Sequence, residues 1–317
     1  MKVYIKTPSR LHFGLIDLNG NLGRMFGGLG VGINKPNIII EAEHSPIFTV
    51  TGQETQLATQ LADRFFKAYQ IKPNVHIHVK QTIPPHTGLG SGTQFALAIA
   101  TAIAKLNDIK ATTPQLALAM GRAKRTGVGT AIFEKGCFVV DGGKKTNETT
   151  DFPPLIHRQP FPDEWRFVIA VPNITKGLCN SEEIAAFNKL PPMQEEEVAK
   201  ICHLTMLKLL PALAEKDIKN FGEALTEIQI ITGNYFAHVQ GGTYSNKEIA
   251  DTLEFIKSLN VYGFGQSSWG PAVYGIVKQD QAKAVLQKIR AYLDRDIGGE
   301  VFIAKGNNKG ATIKIIN

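Results

Sequence analysis

The sequence predicts an α+β fold in two units, and three observations carry that prediction. Its 317 residues exceed what a single small core organises, and a 43% hydrophobic content is enough to fill two. Period-two strand patterns crowd the first fifty residues and return near 166–171 and beyond 261, with helical periodicity between them. A glycine loop, His86–Thr93, stands directly before an alanine-rich helical stretch.

Taken in order, Lys2–Lys6 alternates as a strand, and Asn37–Ile40 and Ile47–Val50 are further β-type runs separated by glycine, proline and asparagine. From Glu54 to Tyr69, Leu57, Leu61 and Phe65 recur at helical spacing beside Ala58, Ala62 and Phe66. Val75, Ile77 and Val79 then alternate with His76, His78 and Lys80, which reads as a half-buried strand with both histidines on its outer face. With no third ligand nearby, the two histidines read as a solvated face and not as a zinc site. Ala96–Leu106 has almost no charge and predicts a helix buried on most sides. A helix over Pro114–Lys124, a strand over Phe133–Val140 and a turn at Asp141-Gly142-Gly143 follow.

Lys144–Glu164, carrying Pro153, Pro154, Pro160 and Pro162, reads as a linker and divides the chain into domains 1–155 and 165–317. The second unit opens with a strand at Arg166–Val171. It continues with helices near 194–215, 218–232 and 246–259, a glycine-rich strand region near 261–277, a helix near 280–294, and closing strands at 300–304 and 311–316. Such an order predicts an antiparallel sheet packed with helices.

Composition narrows the function classes. No stretch approaches the roughly 18 apolar residues of a membrane helix, and the N-terminus shows no export signal. Cys137, Cys179 and Cys202 are odd in number and widely spaced, which argues against a disulfide framework or a cysteine-rich zinc site and favours a reducing cytoplasm. The net charge of +7 is scattered, its densest groups being Arg122, Lys124, Arg125 and Lys144-Lys145, so a small polyanionic substrate explains it better than nucleic acid. A homodimer is the default expectation for a soluble enzyme.

In Pro85-His86-Thr87-Gly88-Leu89-Gly90-Ser91-Gly92-Thr93, three glycines let a bulky anion approach the backbone amides. The helix behind the loop presents unpaired N–H groups and the positive end of its dipole toward the same point, so phosphate is the expected guest.

Pro85–Thr93 resembles the second motif of the GHMP superfamily, P-x-x-x-G-L-G-S-S-A. Thr7-Pro8-Ser9-Arg10-Leu11-His12-Phe13-Gly14-Leu15-Ile16-Asp17 resembles its first motif, and Tyr262-Gly263-Phe264-Gly265-Gln266-Ser267-Ser268-Trp269-Gly270-Pro271 stands in the place of its third. The three span nearly the whole chain in order, and the resemblance implies a two-domain GHMP-kinase-like fold. Two departures concern catalysis. Where the kinases have two serines, this chain has Ser91-Gly92. Where many carry the S-G-x-D aspartate, it reads Thr126-Gly127-Val128-Gly129-Thr130, and a threonine hydroxyl cannot serve as that base.

Within the superfamily, the full pattern is most similar to the β-ribofuranosylaminobenzene 5′-phosphate synthases. That resemblance implies transfer of phosphoribosyl pyrophosphate to 4-aminobenzoate or 4-hydroxybenzoate, with loss of CO2 and pyrophosphate, on the route to methanopterin-type carriers. Which benzoate is used stays open. It further implies that Gly88, Leu89, Gly90, Ser91, Gly92, Thr93, Lys124, Arg125, Thr130, Gln266, Ser267, Ser268 and Trp269 bind substrate, with Arg10, His12, Asp17, Arg24 and His86 as catalytic candidates. Arg10 would meet phosphate charge, Asp17 an oxocarbenium ion or its own tight turn. Arg24, His12 and His86 would grip the carboxylate, with histidine free to change charge near neutral pH. Trp269 and Phe26 would form an aromatic slot. Departure of pyrophosphate favours Mg²⁺, with Asp17, Glu134 and Asp141 as candidate carboxylates and no ligand assigned. The alternatives are a GHMP-type kinase acting on a small alcohol, a ligand-binding protein that kept the cradle without the chemistry, and a nucleic-acid binder.

Overall fold

A computed structural model describes residues 1–148, 152–174 and 190–316 of the chain. Cys179 lies outside the described residues, as does a short piece of the expected linker.

The first unit holds two sheets. Strands β1 (Lys2–Lys6), β2 (Ser9–Asp17), β3 (Arg24–Ile33), β4 (Ile39–His44) and β5 (Thr49–Gly52) precede helix α1 (Thr55–Tyr69) and strand β6 (Val75–Gln81). Helices α2 (Ser91–Leu106), α3 (Thr113–Ala119) and α4 (Val128–Lys135) follow, then β7 (Phe138–Asp141), β8 (Lys144–Lys145) and β9 (Leu155–Gln159). The expected helix at 96–106 thus begins earlier, at the glycine loop. Its residues from Gln94 to Ala104 are all buried, as an uncharged alanine-rich stretch requires. His76 and His78 share the Thr51 hydroxyl, at 3.0 and 2.8 Å.

The second unit contains β10 (Trp165–Pro172), α5 (Glu195–Leu204), a π-helical turn (Thr205–Leu209), α6 (Leu210–Glu215) and the long α7 (Ile218–Gln240). It goes on with α8 (Lys247–Ser258), β11 (Gly263–Gln266), β12 (Val273–Lys278), α9 (Ala282–Leu293), β13 (Gly299–Ala304) and β14 (Thr312–Ile316). The sheets run β14-β1-β4-β6-β5, β2-β3-β7-β9 with β8 beside β3, and β11-β12-β10-β13. No described helix is long and apolar enough to cross a membrane.

Four expectations are corrected. The helix over Pro114–Lys124 stops at Ala119: Gly121 turns left-handed at φ 65°, Gly121 N–H donates to Leu118 O, and Arg122 N–H donates to Ala117 O, both at 2.8 Å. This is a Schellman stop, and it frees residues 122–127 to form a loop. The strand over Phe133–Val140 is a helix end as far as Lys135, and the strand starts at Phe138. A short apolar run fits either period, and Gly136 breaks it. The stretch read as linker pairs twice, Lys144-Lys145 with β3 and Leu155–Gln159 with β7. The closing strand near 311–316 pairs with β1, register Val3↔Ile315, so the chain's last strand joins the first unit's sheet.

One core runs through both units. Phe13 of β2 packs at a tilt against Tyr274 of β12, with ring centroids 5.3 Å apart, and against Phe167, while Phe161 stacks on Phe167 and meets Trp165 and Phe221 edge-on. This aromatic cluster holds β2 against the second sheet, and so fixes where the residues at the start of β2 face the glycine loop.

Candidate active site

Three segments meet at one place: the start of β2, the glycine loop, and the turn between β11 and β12. Arg10 N–H donates to Leu89 O at 3.0 Å and Ala272 N–H to Thr87 O at 3.1 Å. The Ser267 hydroxyl donates to Gly88 O at 2.7 Å and accepts from His12 N–H at 3.0 Å. Backbone meets backbone here, because a Cβ on Gly270 would lie 2.1 Å from the Gly88 nitrogen. Gln266 locks the turn by donating to Ser245 Oγ (2.7 Å) and Gly270 O (2.9 Å), while its own N–H donates to Gln229 Oε1 of α7 at 2.9 Å. The three sequence motifs therefore form one hydrogen-bonded body.

Gly88 and Gly90 adopt left-handed φ values of 84° and 82°, and Gly90 caps α2. The first bond of that helix runs from Gln94 N–H to Gly90 O, so the N–H groups of Ser91, Gly92 and Thr93 precede the helical ladder. Arginines overlie the loop's glycines. The stem of Arg10 crosses Gly90, where a Cβ would come within 2.7 Å of its Cγ, and its guanidinium donates to Gly88 O. Arg122 lies over Gly92, and its Nε donates to Thr93 Oγ1 at 3.3 Å.

Two cavities adjoin at this place, of about 400 and 380 Å³, sharing Arg10, Thr93, Arg122, Ser268 and Trp269 as a common wall. The first is lined by five cationic side chains, Arg10, Arg64, Arg122, Lys124 and Arg125, with no carboxylate among the described residues. Trp269 meets Phe236 of α7 edge-on in its wall, centroids 4.7 Å apart. The second holds the loop residues Gly88, Gly90, Ser91 and Gly92 together with His86, an apolar wall including Ile83 and Phe95, and one carboxylate, Glu54.

His12 lines the first cavity. Its Nδ1 accepts from Gly14 N–H at 3.3 Å, so the neutral ring carries its proton on Nε2. Burial, aided by Arg10, pushes its pKa down to about 3. The ring is therefore a fixed neutral donor, which corrects the expectation of a group that changes charge near neutrality.

Of the other expected residues, Lys124, Arg125, Gln266, Ser268 and Trp269 line the first cavity and His86 the second. Leu89 is buried and Ser267 joins the loops. Thr130 is buried on the first turn of α4, its hydroxyl unpartnered, and lines neither cavity. Four more stand apart from both. Arg24 donates to Gly142 O (2.8 Å) and Gly143 O (2.9 Å). Asp17 accepts from Asn19 and Gly20 N–H at 2.7 and 2.8 Å, closing a tight turn. Phe26 packs against the core and Glu134 is exposed. Asp141, also away from the cavities, accepts from Gly127 and Gly143 N–H, both at 2.9 Å, and burial pushes its carboxyl up to about 6.

These donors do not fit a Mg²⁺ held by the protein alone. Among the described residues no three His, Cys, Asp or Glu side chains cluster as metal ligands, and Asp17, Glu134 and Asp141 line neither cavity.

The sequence marks Arg122 only as part of a basic group, and Arg64 and the cavity face of α7 were missed. Arg64 sits on an exposed helical position with no local signal. Gln229, Thr232, Gly233, Phe236 and Gln240 share one helix face, and polar residues on an otherwise apolar stripe were the available clue. The Thr232 hydroxyl is buried without a partner, whereas Thr226 of the same helix bonds back to Gly222 O at 2.9 Å.

The GHMP kinases N terminal domain family matches residues 56–135, and the GHMP kinases C terminal family matches 209–295, together just over half of the chain. The chain belongs to the GHMP kinase superfamily. This GHMP protein is 33% identical to a β-ribofuranosylphenol 5′-phosphate synthase of Methanothermobacter thermautotrophicus over 98% of both chains. It is 34% identical to the synthase of the same name from Archaeoglobus fulgidus, over 98% of this chain and 99% of that one. A solved homoserine kinase of Cytophaga hutchinsonii superposes with a TM-score of 0.70 at 17% identity, covering 99% of this chain and 97% of that one, and so shares the fold. By its full-length likeness to the synthases, the GHMP protein is an enzyme of the pentosyltransferase class.

Proposed function

We propose that this enzyme joins phosphoribosyl pyrophosphate to 4-hydroxybenzoate or 4-aminobenzoate, releasing CO2 and pyrophosphate, as a cytoplasmic step toward a methanopterin-type cofactor. The observation that carries the reading is the first cavity, where five cations and an aromatic wall stand with no carboxylate among the described residues. A polyanion and a flat ring suit that lining. The relatives' name describes a phenol joined to ribose 5-phosphate, which is what hydroxybenzoate becomes once its carboxylate is lost.

In this reading, the ring carbon bearing the carboxylate attacks the anomeric carbon as the bond to pyrophosphate breaks, and its electron pair leaves with pyrophosphate. The resulting ring cation is stabilised by the para oxygen or nitrogen. It then loses CO2, whose bonding electrons restore aromaticity. Arg10 and the loop N–H groups neutralise the departing diphosphate through charge-assisted hydrogen bonds. Lys124 and Arg125, which line only the first cavity, are assigned to the 5-phosphate. The His12 Nε2–H, neutral throughout, donates without competing as a base. No alcohol has to be deprotonated, so Thr130 in place of an aspartate costs this reaction nothing.

Incubation with phosphoribosyl pyrophosphate and carboxyl-labelled benzoates decides the matter, with labelled CO2 and pyrophosphate expected in equal amounts. Formation of ADP from ATP with a phosphorylated small alcohol, and no labelled CO2, refutes the reading.

A further inference from the structure

At Gly92, where the kinase pattern has its second serine, an arginine fills the space that the hydroxyl would take. A Cβ at Gly92 would fall 2.6 Å from Nη2 of Arg122 and 3.5 Å from its Cζ, so the guanidinium rests directly on the glycine. Any side chain at residue 92 would occupy the space this guanidinium fills.

Arg122 is held there from several directions. Its backbone N–H closes the Schellman stop of α3, donating to Ala117 O at 2.8 Å, and its Nε donates to Thr93 Oγ1. A second guanidinium backs it. Arg64 of α1 lies against Gly121, where a Cβ would come within 2.4 Å of Arg64 Nη2, and the left-handed φ of 65° also calls for glycine. No ion pair joins Arg64 or Arg122 to a carboxylate among the described residues. Burial, together with the neighbouring Arg64, lowers the pKa of Arg122.

Two like charges held side by side at a cavity wall, one of them half-buried, repel each other until an anion arrives. Arg122 also lines both cavities, standing between the loop and the cationic chamber. A guanidinium offers paired N–H donors that match two phosphate oxygens at once, which a serine hydroxyl cannot do.

We propose that Arg122, seated over Gly92 and backed by Arg64, is a diphosphate-binding residue of this site, filling the position that a second loop serine holds in the kinase pattern. The inference rests on the transferase reading for the identity of the diphosphate. In that frame, Ser91-Gly92 is one half of a two-residue exchange: the glycine makes room and the arginine supplies a permanent positive charge.

The test is calorimetric titration of inorganic pyrophosphate and of phosphoribosyl pyrophosphate in EDTA, so that only the protein's own cations are read. Arg122→Gln is expected to weaken pyrophosphate about 10- to 100-fold, the range for one hydrogen bond to a charged group, and Arg122→Lys to recover part of that. Acceptor KM should stay within about 3-fold. Gly92→Ser displaces the mobile end of a side chain and not backbone, so it should leave the melting temperature near wild type while weakening pyrophosphate as Arg122→Gln does. In the Arg122→Gln background, Gly92→Ser should have no further effect, which is the coupling a double-mutant cycle detects. Wild-type protein that fails to bind pyrophosphate, an Arg122→Gln protein that binds it as tightly as wild type, or a serine effect of equal size in both backgrounds overturns the proposal. If the affinity losses appear but labelled benzoate yields no CO2, the anion site stands and the transferase reading falls. If CO2 is released and Arg122→Gln changes no affinity, the reverse holds.

Discussion

Acid should destabilise this protein through His12, and the size of the effect follows from the site. The ring titrates from 6.5 in the unfolded chain down to about 3 in the fold, because burial and Arg10 both oppose its charge. A base with a lowered pKa contributes stability that is present above 6.5 and is lost as pH falls toward 3. At pH 5 the loss relative to pH 7.5 is about 2 kcal/mol. Asp141 acts in the opposite sense: with its carboxyl raised to about 6, its contribution is greatest at low pH and declines as pH rises through that value. Between pH 7.5 and pH 5 it therefore returns about 1 kcal/mol, and the wild-type slope alone understates His12. The assay is urea denaturation at both pH values for wild type and His12→Gln. The variant should lose about 2 kcal/mol less on acidification than wild type. Equal losses in the two proteins would mean that His12 is not held neutral, and the assignment of its Nε2–H as a fixed donor would fail with it.

Three further outcomes are expected. Gly270→Ala drives a methyl to within 2.1 Å of the Gly88 nitrogen and should cost about 1 to 3 kcal/mol by overpacking, with weaker pyrophosphate binding because the loop shifts; unchanged values on denaturation and calorimetry would refute the backbone joint. Gly90→Val meets both a left-handed φ and the stem of Arg10, so circular dichroism should show a folded protein with a stability loss of about 1 to 3 kcal/mol, while tight phosphoribosyl pyrophosphate binding disappears. Thr130→Val removes a buried hydroxyl that has no partner, so melting should place it within about 1 kcal/mol of wild type with transferase kinetics unchanged; Thr130→Asp buries a charge and should lose at least about 3 kcal/mol.

The chain's local patterns were readable where a single physical requirement acts over consecutive residues. An uncharged alanine-rich run has to be buried, which announced α2, and three glycines before a helix announced an anion-sized approach to the backbone. Where two requirements competed, the pattern misled. Phe133 lies in the last turns of a helix that runs to Lys135, despite its strand-like neighbours, because Gly136 sets the break. The resemblance offers Arg24 and Asp17 as catalytic candidates, yet both bond to nearby backbone groups and line neither cavity.

The sequence by itself determined the fold class, the order of the three motifs, the glycine loop, and the loss of the kinase's second serine and aspartate. These are properties of short segments, written in spacing and residue type. Only the tertiary structure decided which charges face the loop. Arg64 and Arg122 lie 58 positions apart along the chain and become neighbours because Gly121 and Gly92 leave room for their guanidiniums. The neutrality of His12 is likewise invisible in sequence, since it arises from burial between two units and from the arginine two residues before it. Electrostatics depends on distance through space and on exclusion of water, and neither is a function of position along the chain.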